Sequence, residues 1–373
     1  MNRPASRLRG RPVARLLGAT LGLAVLAWAA SATAQSADRQ PARSTAPIVA
    51  VPFYTPVHFM QGVHQYWTAP ASKEFAGQSA RLMPAVKQLC EAPPGSATSL
   101  CEAREQWAAV MKDWERLSAV AIGPLLQRRS LRQIDFAPTR PELIARAVEK
   151  APANAADMER VGTPAKGFPA LEYLLWTRPA QPGSPECRYA EQVAADLDRE
   201  AQALAQGFAQ TAGQEWDEEA AVPAMGEVLN QWVGGLERLR WGEMERPLRA
   251  RSSGGREASA YARAASAQTA ASWSAQWQGL REVAVLTAAQ APRPGAGLVP
   301  LETYLRGRGL NPAADKLAKA VARVDEKFKR LKPTSDASVL DATRELAALK
   351  RLAEAEIAPA LQVNIGFSDA DGD

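Results

Sequence analysis

The amino-acid sequence predicts an all-α protein made of two related helical-bundle domains from an internal duplication. Three observations carry that reading. Apolar residues recur at three- and four-residue steps through every long segment, the period of one helix face. No segment sustains the alternation of β-branched and polar residues that a half-buried strand shows. Residues 297–305 (GLVPLETYL) echo residues 167–175 (GFPALEYLL), aligning Gly167 with Gly297, Leu171-Glu172 with Leu301-Glu302 and Leu175 with Leu305.

The elements follow in order. Arg3, Arg7, Arg9, Arg11 and Arg15 precede an apolar run from Leu16 to Ala30, then Ala32-Thr33-Ala34 and Gln35. That order of basic, apolar and small residues predicts a secretory signal peptide over 1–34, cleaved near Ala34. The apolar run is shorter than the ~20 residues of a membrane span. No later segment is apolar enough to span, so a mature chain exported to the periplasm is expected. Residues 35–50 (QSADRQPARSTAPIVA) read as a flexible leader. Helical stripes come next: Leu100, Ala103, Trp107, Val110, Trp114 and Leu117; Val193, Leu197, Leu204 and Phe208; Met225, Val228, Trp232, Leu236 and Leu239; Leu317, Val321, Val324, Phe328 and Leu331. Pro- and Gly-bearing breaks at 93–96, 179–186, 251–255 and 291–297 separate them. A mature chain of roughly 340 residues exceeds the usual single core. The polar stretch TAGQEWDEEA then divides it into an N-terminal domain over 51–215 and a C-terminal domain over 216–373.

Composition excludes several functions. The chain has 373 residues, with 45 Lys+Arg, 40 Asp+Glu and a net charge of +5. The five leader arginines account for the whole excess, so the mature chain is neutral and offers no electrostatic footprint for nucleic acid. Two His and three Cys argue against zinc sites built from several such ligands. No Walker A, G-x-G-x-x-G, G-x-S-x-G or H-E-x-x-H motif occurs.

Three segments are candidates for chemistry. In GFPALEYLLW (167–176), Pro169 suits the first turn of a helix. Glu172 is a carboxylate among apolar neighbours near a helix start, where N–H groups or an arginine such as Arg132 or Arg140 would hold its charge. In the second segment, a Trp114-bearing helix runs to Gly123-Pro124. A basic loop with Arg128, Arg129 and Arg132 follows, then Ile134-Asp135-Phe136-Ala137-Pro138. The loop reads as an anion pocket or as a solvated turn whose arginines face helix carbonyls. The third is the tail Gly366-Phe367…Asp371-Gly372-Asp373, which stops short of a calcium loop. His58 and His64 are six apart and do not share a helix face. Among the cysteines, Cys90 can pair with Cys101 or with Cys187.

Taken together, Gly167…Glu172-Tyr173-Leu174-Leu175, Trp114…Gly123-Pro124, Arg132…Ile134…Phe136…Pro138 and Gly366-Phe367…Asp371-Gly372-Asp373 resemble the imelysin-like proteins. Their order and spacing fit over the mature chain, although 257–288 departs from the family pattern. The resemblance implies two helical bundles with a ligand-binding cleft between them, a cell-envelope location and an association with iron uptake. It assigns the cleft to Gly167, Pro169, Glu172, Arg132, Arg140 and Trp114. It also favours the Cys90–Cys187 pair, leaving Cys101 free. The family motif is G-x-H-x-x-E, and here Pro169 occupies the His position. Only Glu172 remains as a motif ligand, so a divalent metal, iron or zinc, is expected to bind weakly. The reading that follows is a non-catalytic binding protein with an envelope or iron-uptake partner; the alternative is a metal-dependent peptidase, the family's label.

Overall fold

The computed structural model describes residues 50–93, 95–252 and 261–366. The predicted signal peptide and nearly all of the predicted leader, which precede residue 50, lie outside the described residues, as does the acidic tail from 367. Among the described residues every regular element is helical and none is a strand.

The predicted stripes are the buried faces of long helices. Ala103, Trp107, Val110, Trp114 and Leu117 line the Ala97–Ser118 helix, and Val193, Leu197, Leu204 and Phe208 line Pro185–Ala212. Met225, Val228, Trp232 and Leu236 line Glu218–Glu237, whose first turn is capped by the Asp217 side chain accepting from the Ala220 N–H. The expected breaks are connections. Ser184, in the 179–186 break, caps the 185–212 helix by accepting from the Cys187 N–H at 3.1 Å.

The Ala69–Glu91 helix packs against both 97–118 and 185–212, and Thr269–Ala284 packs on 97–118 from the other half of the chain. Asn311–Phe328 and Asp336–Leu352 pair with each other. From Ala50 onward the chain forms one compact unit, and buried side chains from both sides of residue 216 join a single core. Two glycines let helices close on the end of the 97–118 helix. A Cβ at Gly279 would overlap the Arg116 carbonyl, and one at Gly235 the Ala119 carbonyl. The Trp232 indole reinforces the contact by donating to the Leu280 carbonyl at 2.8 Å.

The two sequence repeats differ locally. Gly167 is the first residue of its helix and Glu172 the sixth. Gly297 lies four residues ahead of the Leu301–Gly307 helix, in which Glu302 is second. Glu302 pairs with Arg306 on its own helix.

Cys90 and Cys187 form a disulfide across 97 residues, and Cys101 is free and exposed. The bond ties the end of the 69–91 helix to the start of 185–212. Disulfides typically contribute about 2–4 kcal/mol, and the chain-entropy relation gives about 4.7 kcal/mol for a loop of roughly 100 residues. Reduction should therefore lower the melting temperature, and Cys101→Ser should leave it within a degree or so of the parent. Equal melts of reduced and oxidised protein would contradict this.

Candidate functional site

Gly167 sets the site's position. Its φ is +74°, and a Cβ there would overlap the Ile134 carbonyl. The helix Gly167–Glu172 therefore starts pressed against Ser130–Ile134. Pro169 is buried in the first turn, where its missing N–H costs nothing. A π-helical turn, Tyr173–Thr177, follows at once. Such turns are rare and occur frequently at functional sites.

Glu172 is 6% exposed. Its Oε1 accepts from the Ser266 backbone N–H at 2.9 Å and from Ser266 Oγ at 2.6 Å. Two expectations are corrected here. Glu172 is beyond the first helical turn, so its hydrogen bonds come from the distant Ser266 and not from helix N–H groups. Arg132 and Arg140 are both exposed; the guanidinium near enough to interact electrostatically with Glu172 belongs to Arg263.

Arg263 is the centre of a buried polar cluster. It is 4% exposed and adopts a left-handed backbone, φ +62°. Its Nη2 donates to both oxygens of Asp135 at 2.6 Å, and Nε and Nη2 donate to Glu115 Oε1 at 3.3 and 3.1 Å. Trp107 and Phe168 lie 5.8 and 5.5 Å from its Cζ. Trp114 Nε1 donates to Asp135 Oδ2 at 2.8 Å, and Ser272 Oγ donates to Glu115 at 2.7 Å. Trp114 is thus part of the site, orienting a carboxylate. The nearby Arg238 donates to the carbonyls of Ser118 and Ala119 at 2.6 and 3.0 Å. Glu243, on the π-helical run Arg238–Glu245, completes the set.

The charges perturb one another. Burial raises the Glu115 carboxyl against the pull of Arg263. Burial would lower Arg263, but Asp135 and Glu115 outweigh it and hold the guanidinium charged. Burial, reinforced by Glu115 and Asp135, lifts Glu243 to about 7. Glu243 is densely surrounded, yet part of its surface stays open to solvent.

Because the folded state binds this proton more tightly than the unfolded chain, Glu243 stabilises least at high pH. The loss occurs as pH rises from about 4.5 through about 7. A carboxyl moved that far is linked to at most about 3 kcal/mol, and partial solvent access reduces this to about 1–2 kcal/mol. His64, lowered to about 4 by burial, acts in the opposite direction between about 4 and 6.5. Comparing Glu243→Gln with the parent cancels that contribution. The variant should gain on the parent between pH 5.5 and 8 in urea melts; parallel stability curves would show that Glu243 titrates normally.

The other candidates fall elsewhere. Arg128 is held by Glu200 through Nε at 3.0 Å and Nη2 at 2.6 Å, and Ser130 donates to the same carboxylate. Arg128 is therefore paired with an acid of the 185–212 helix, and Arg129 and Arg132 are exposed. His58 closes a capping box with Thr55. His64 stacks on Trp216 with Nδ1 3.3 Å from Thr68 Oγ1. Neither histidine joins the cluster.

The family model described as Imelysin, a peptidase family labelled M75, matches residues 69–359. The chain belongs to the imelysin family. Two solved structures share the imelysin fold. An imelysin-like protein from Psychrobacter arcticum 273-4 has a TM-score of 0.69 at 20% identity, covering 86% of this chain and 100% of that one. A protein described as an iron-regulated protein A precursor from Parabacteroides distasonis ATCC 8503 has a TM-score of 0.65 at 14% identity, covering 82% and 94%. No curated protein matches the chain.

A metal centre does not fit this imelysin site. Pro169 offers no ligand atom, and Glu172 Oε1 already accepts two hydrogen bonds. Among the described residues, no group of three or more His, Cys, Asp and Glu is placed to hold an ion. Gly167, Glu172 and Trp114, singled out from the sequence, lie in or beside this cluster, whereas no sequence pattern singles out its Glu115, Asp135, Arg238, Glu243, Arg263, Ser266 and Ser272.

Proposed function

We propose that the mature protein is an exported periplasmic binding protein that serves iron uptake, takes its ligand at the polar cluster around Glu172, and has no hydrolytic activity. Glu172 carries the reading. It is a buried carboxylate whose Oε1 is fixed by Ser266, while Oε2 accepts no hydrogen bond among the described residues. Export is supported by the signal-like N-terminus and by a disulfide, which suits an oxidising compartment. No helix among the described residues is long and apolar enough to cross a membrane. The iron context is supported by the description of the Parabacteroides structure.

The family's peptidase label supplies the second reading. Hydrolysis requires a metal-activated water or a nucleophile with its base. Pro169 removes the motif imidazole, and the Ser266 hydroxyl is buried, with Glu172 Oε1 at 2.6 Å and the Arg263 carbonyl at 3.1 Å as its acceptors. Protein purified from periplasm should carry substoichiometric iron or zinc and should not cleave an unfolded substrate with or without chelator. Pro169→His should raise zinc affinity. Tight stoichiometric metal or chelator-sensitive cleavage by the parent would reverse the choice. A deletion strain should grow more slowly under iron limitation, and growth equal to the parent strain would remove the iron-uptake role.

A further inference from the structure

The surroundings of Arg263 have the chemistry of a guanidinium receptor. Both Asp135 oxygens accept from Nη2, and Glu115 Oε1 accepts from Nε and from the same Nη2. Trp107 and Phe168 lie within cation–π range. The planar Nε–Nη2 edge meets two carboxylates beside aromatic rings, and the single nitrogen of an ammonium does not reproduce that edge.

Each carboxylate wall has a second tether besides Arg263. Trp114 holds Asp135, Ser272 holds Glu115, and Gln276 Nε2 lies 3.4 Å behind Ser272 Oγ. Trp107 packs edge-on against Phe168 and Trp176. The occupant, in contrast, comes from a short non-helical turn over residues 261–268, with two non-glycine residues at positive φ, Arg263 and Ala267. That turn docks through Arg263 and through Ser266 on Glu172.

We propose that this pocket is a guanidinium-binding site which the chain fills with its own Arg263, and that the 261–268 turn is an internal occupant displaced by an external guanidinium group. The ligand is a small guanidine or the arginine side chain of a peptide. The inference rests on reading the Glu172 cluster as a binding site, because displacement would also release Ser266 from Glu172.

The test uses the full mature chain and four probes at matched ionic strength: methylguanidinium, methylammonium, and the tripeptides Ala-Arg-Ala and Ala-Lys-Ala. In the parent protein, millimolar methylguanidinium or Ala-Arg-Ala should speed hydrogen exchange at the Ser266 amide by roughly tenfold or more, and the ammonium probes should not. Whichever guanidinium probe acts at lower concentration identifies the source. In Arg263→Ala the melting temperature should fall, and methylguanidinium should restore several degrees where methylammonium restores none. No guanidinium-specific effect on parent exchange overturns the proposal, even if the variant is rescued, because the occupant would then be permanent. If Arg263→Ala does not fold, the parent exchange experiment decides alone. Guanidinium-specific opening in a protein without an iron-uptake phenotype would leave this inference standing and remove the iron reading.

Discussion

Gly167→Ala is expected to cost about 3–5 kcal/mol and to lower the melting temperature by roughly 5–10 °C. Two penalties add. An L-residue at φ +74° costs about 1–2 kcal/mol. The new Cβ also meets the Ile134 backbone, which cannot rotate away as a side chain would. Gly183 separates the two penalties, since its φ is +73° but nothing lies within 4 Å of a Cβ there. Gly183→Ala should therefore show only the backbone penalty. Equal melts for the two variants would mean that the Ile134 contact relaxes freely. The effect should reach the site as well. Ile134 is followed by Asp135, so pushing the two elements apart moves a carboxylate away from Arg263 and Trp114.

How much of this was legible in the sequence depends on the range of each interaction. The helices were legible because their cause is local. Trp107, Val110, Trp114 and Leu117 recur at helical spacing, and burial follows from that stripe. Glu172 stood out for a local reason too, as a carboxylate inside an apolar run. Its partners did not, because Ser266 is 94 residues away and Arg263 meets Glu115 across 148. Nothing in the segment YARAASAQ indicates that its arginine turns inward at positive φ. The available signal was weaker: a single charge among alanines, just before the buried face of the 269–284 helix. Glu115 offered a similar signal, since it directly follows Trp114 and lies close to the apolar stripe. Arg132 and Arg140 were the wrong arginines because sequence proximity to an anticipated pocket says nothing about which way a loop residue faces. The Cys90–Cys187 pair illustrates the same limit. Spacing left Cys90–Cys101 open, and only the packing of the 69–91 and 185–212 helices brings the observed Cα atoms to 5.5 Å.

Glu172 is the residue on which site and stability meet, and Glu172→Ala should cost about 3–5 kcal/mol. The substitution leaves the Ser266 N–H without its acceptor in a buried setting, at about 1–3 kcal/mol, while the hydroxyl can turn to the Arg263 carbonyl 3.1 Å away. It also removes a charge that interacts with Arg263. Glu172→Gln should cost less, because an amide oxygen can still accept from Ser266. Neutralising one acid also relieves repulsion in a cluster where Glu115, Asp135, Glu172 and Glu243 outnumber Arg238 and Arg263. The repeat counterpart provides the control. Glu302 is paired along its own helix with Arg306, and that arginine also reaches Asp315 at 2.8 Å. Glu302→Ala therefore orphans no buried backbone donor and only the Thr303 hydroxyl, which donates to Glu302 Oε2 at 3.1 Å, and should cost about 1–2 kcal/mol. Thermal melts of the three variants read the stability order Glu302→Ala, Glu172→Gln, Glu172→Ala from mildest to most severe. Hydrogen exchange at the Ser266 amide reads the site directly, because only loss of the Glu172 acceptor should release it. If Glu172→Ala melts like the parent and Ser266 keeps its protection, the turn over 261–268 is held by Arg263 alone and Glu172 has no part in the site.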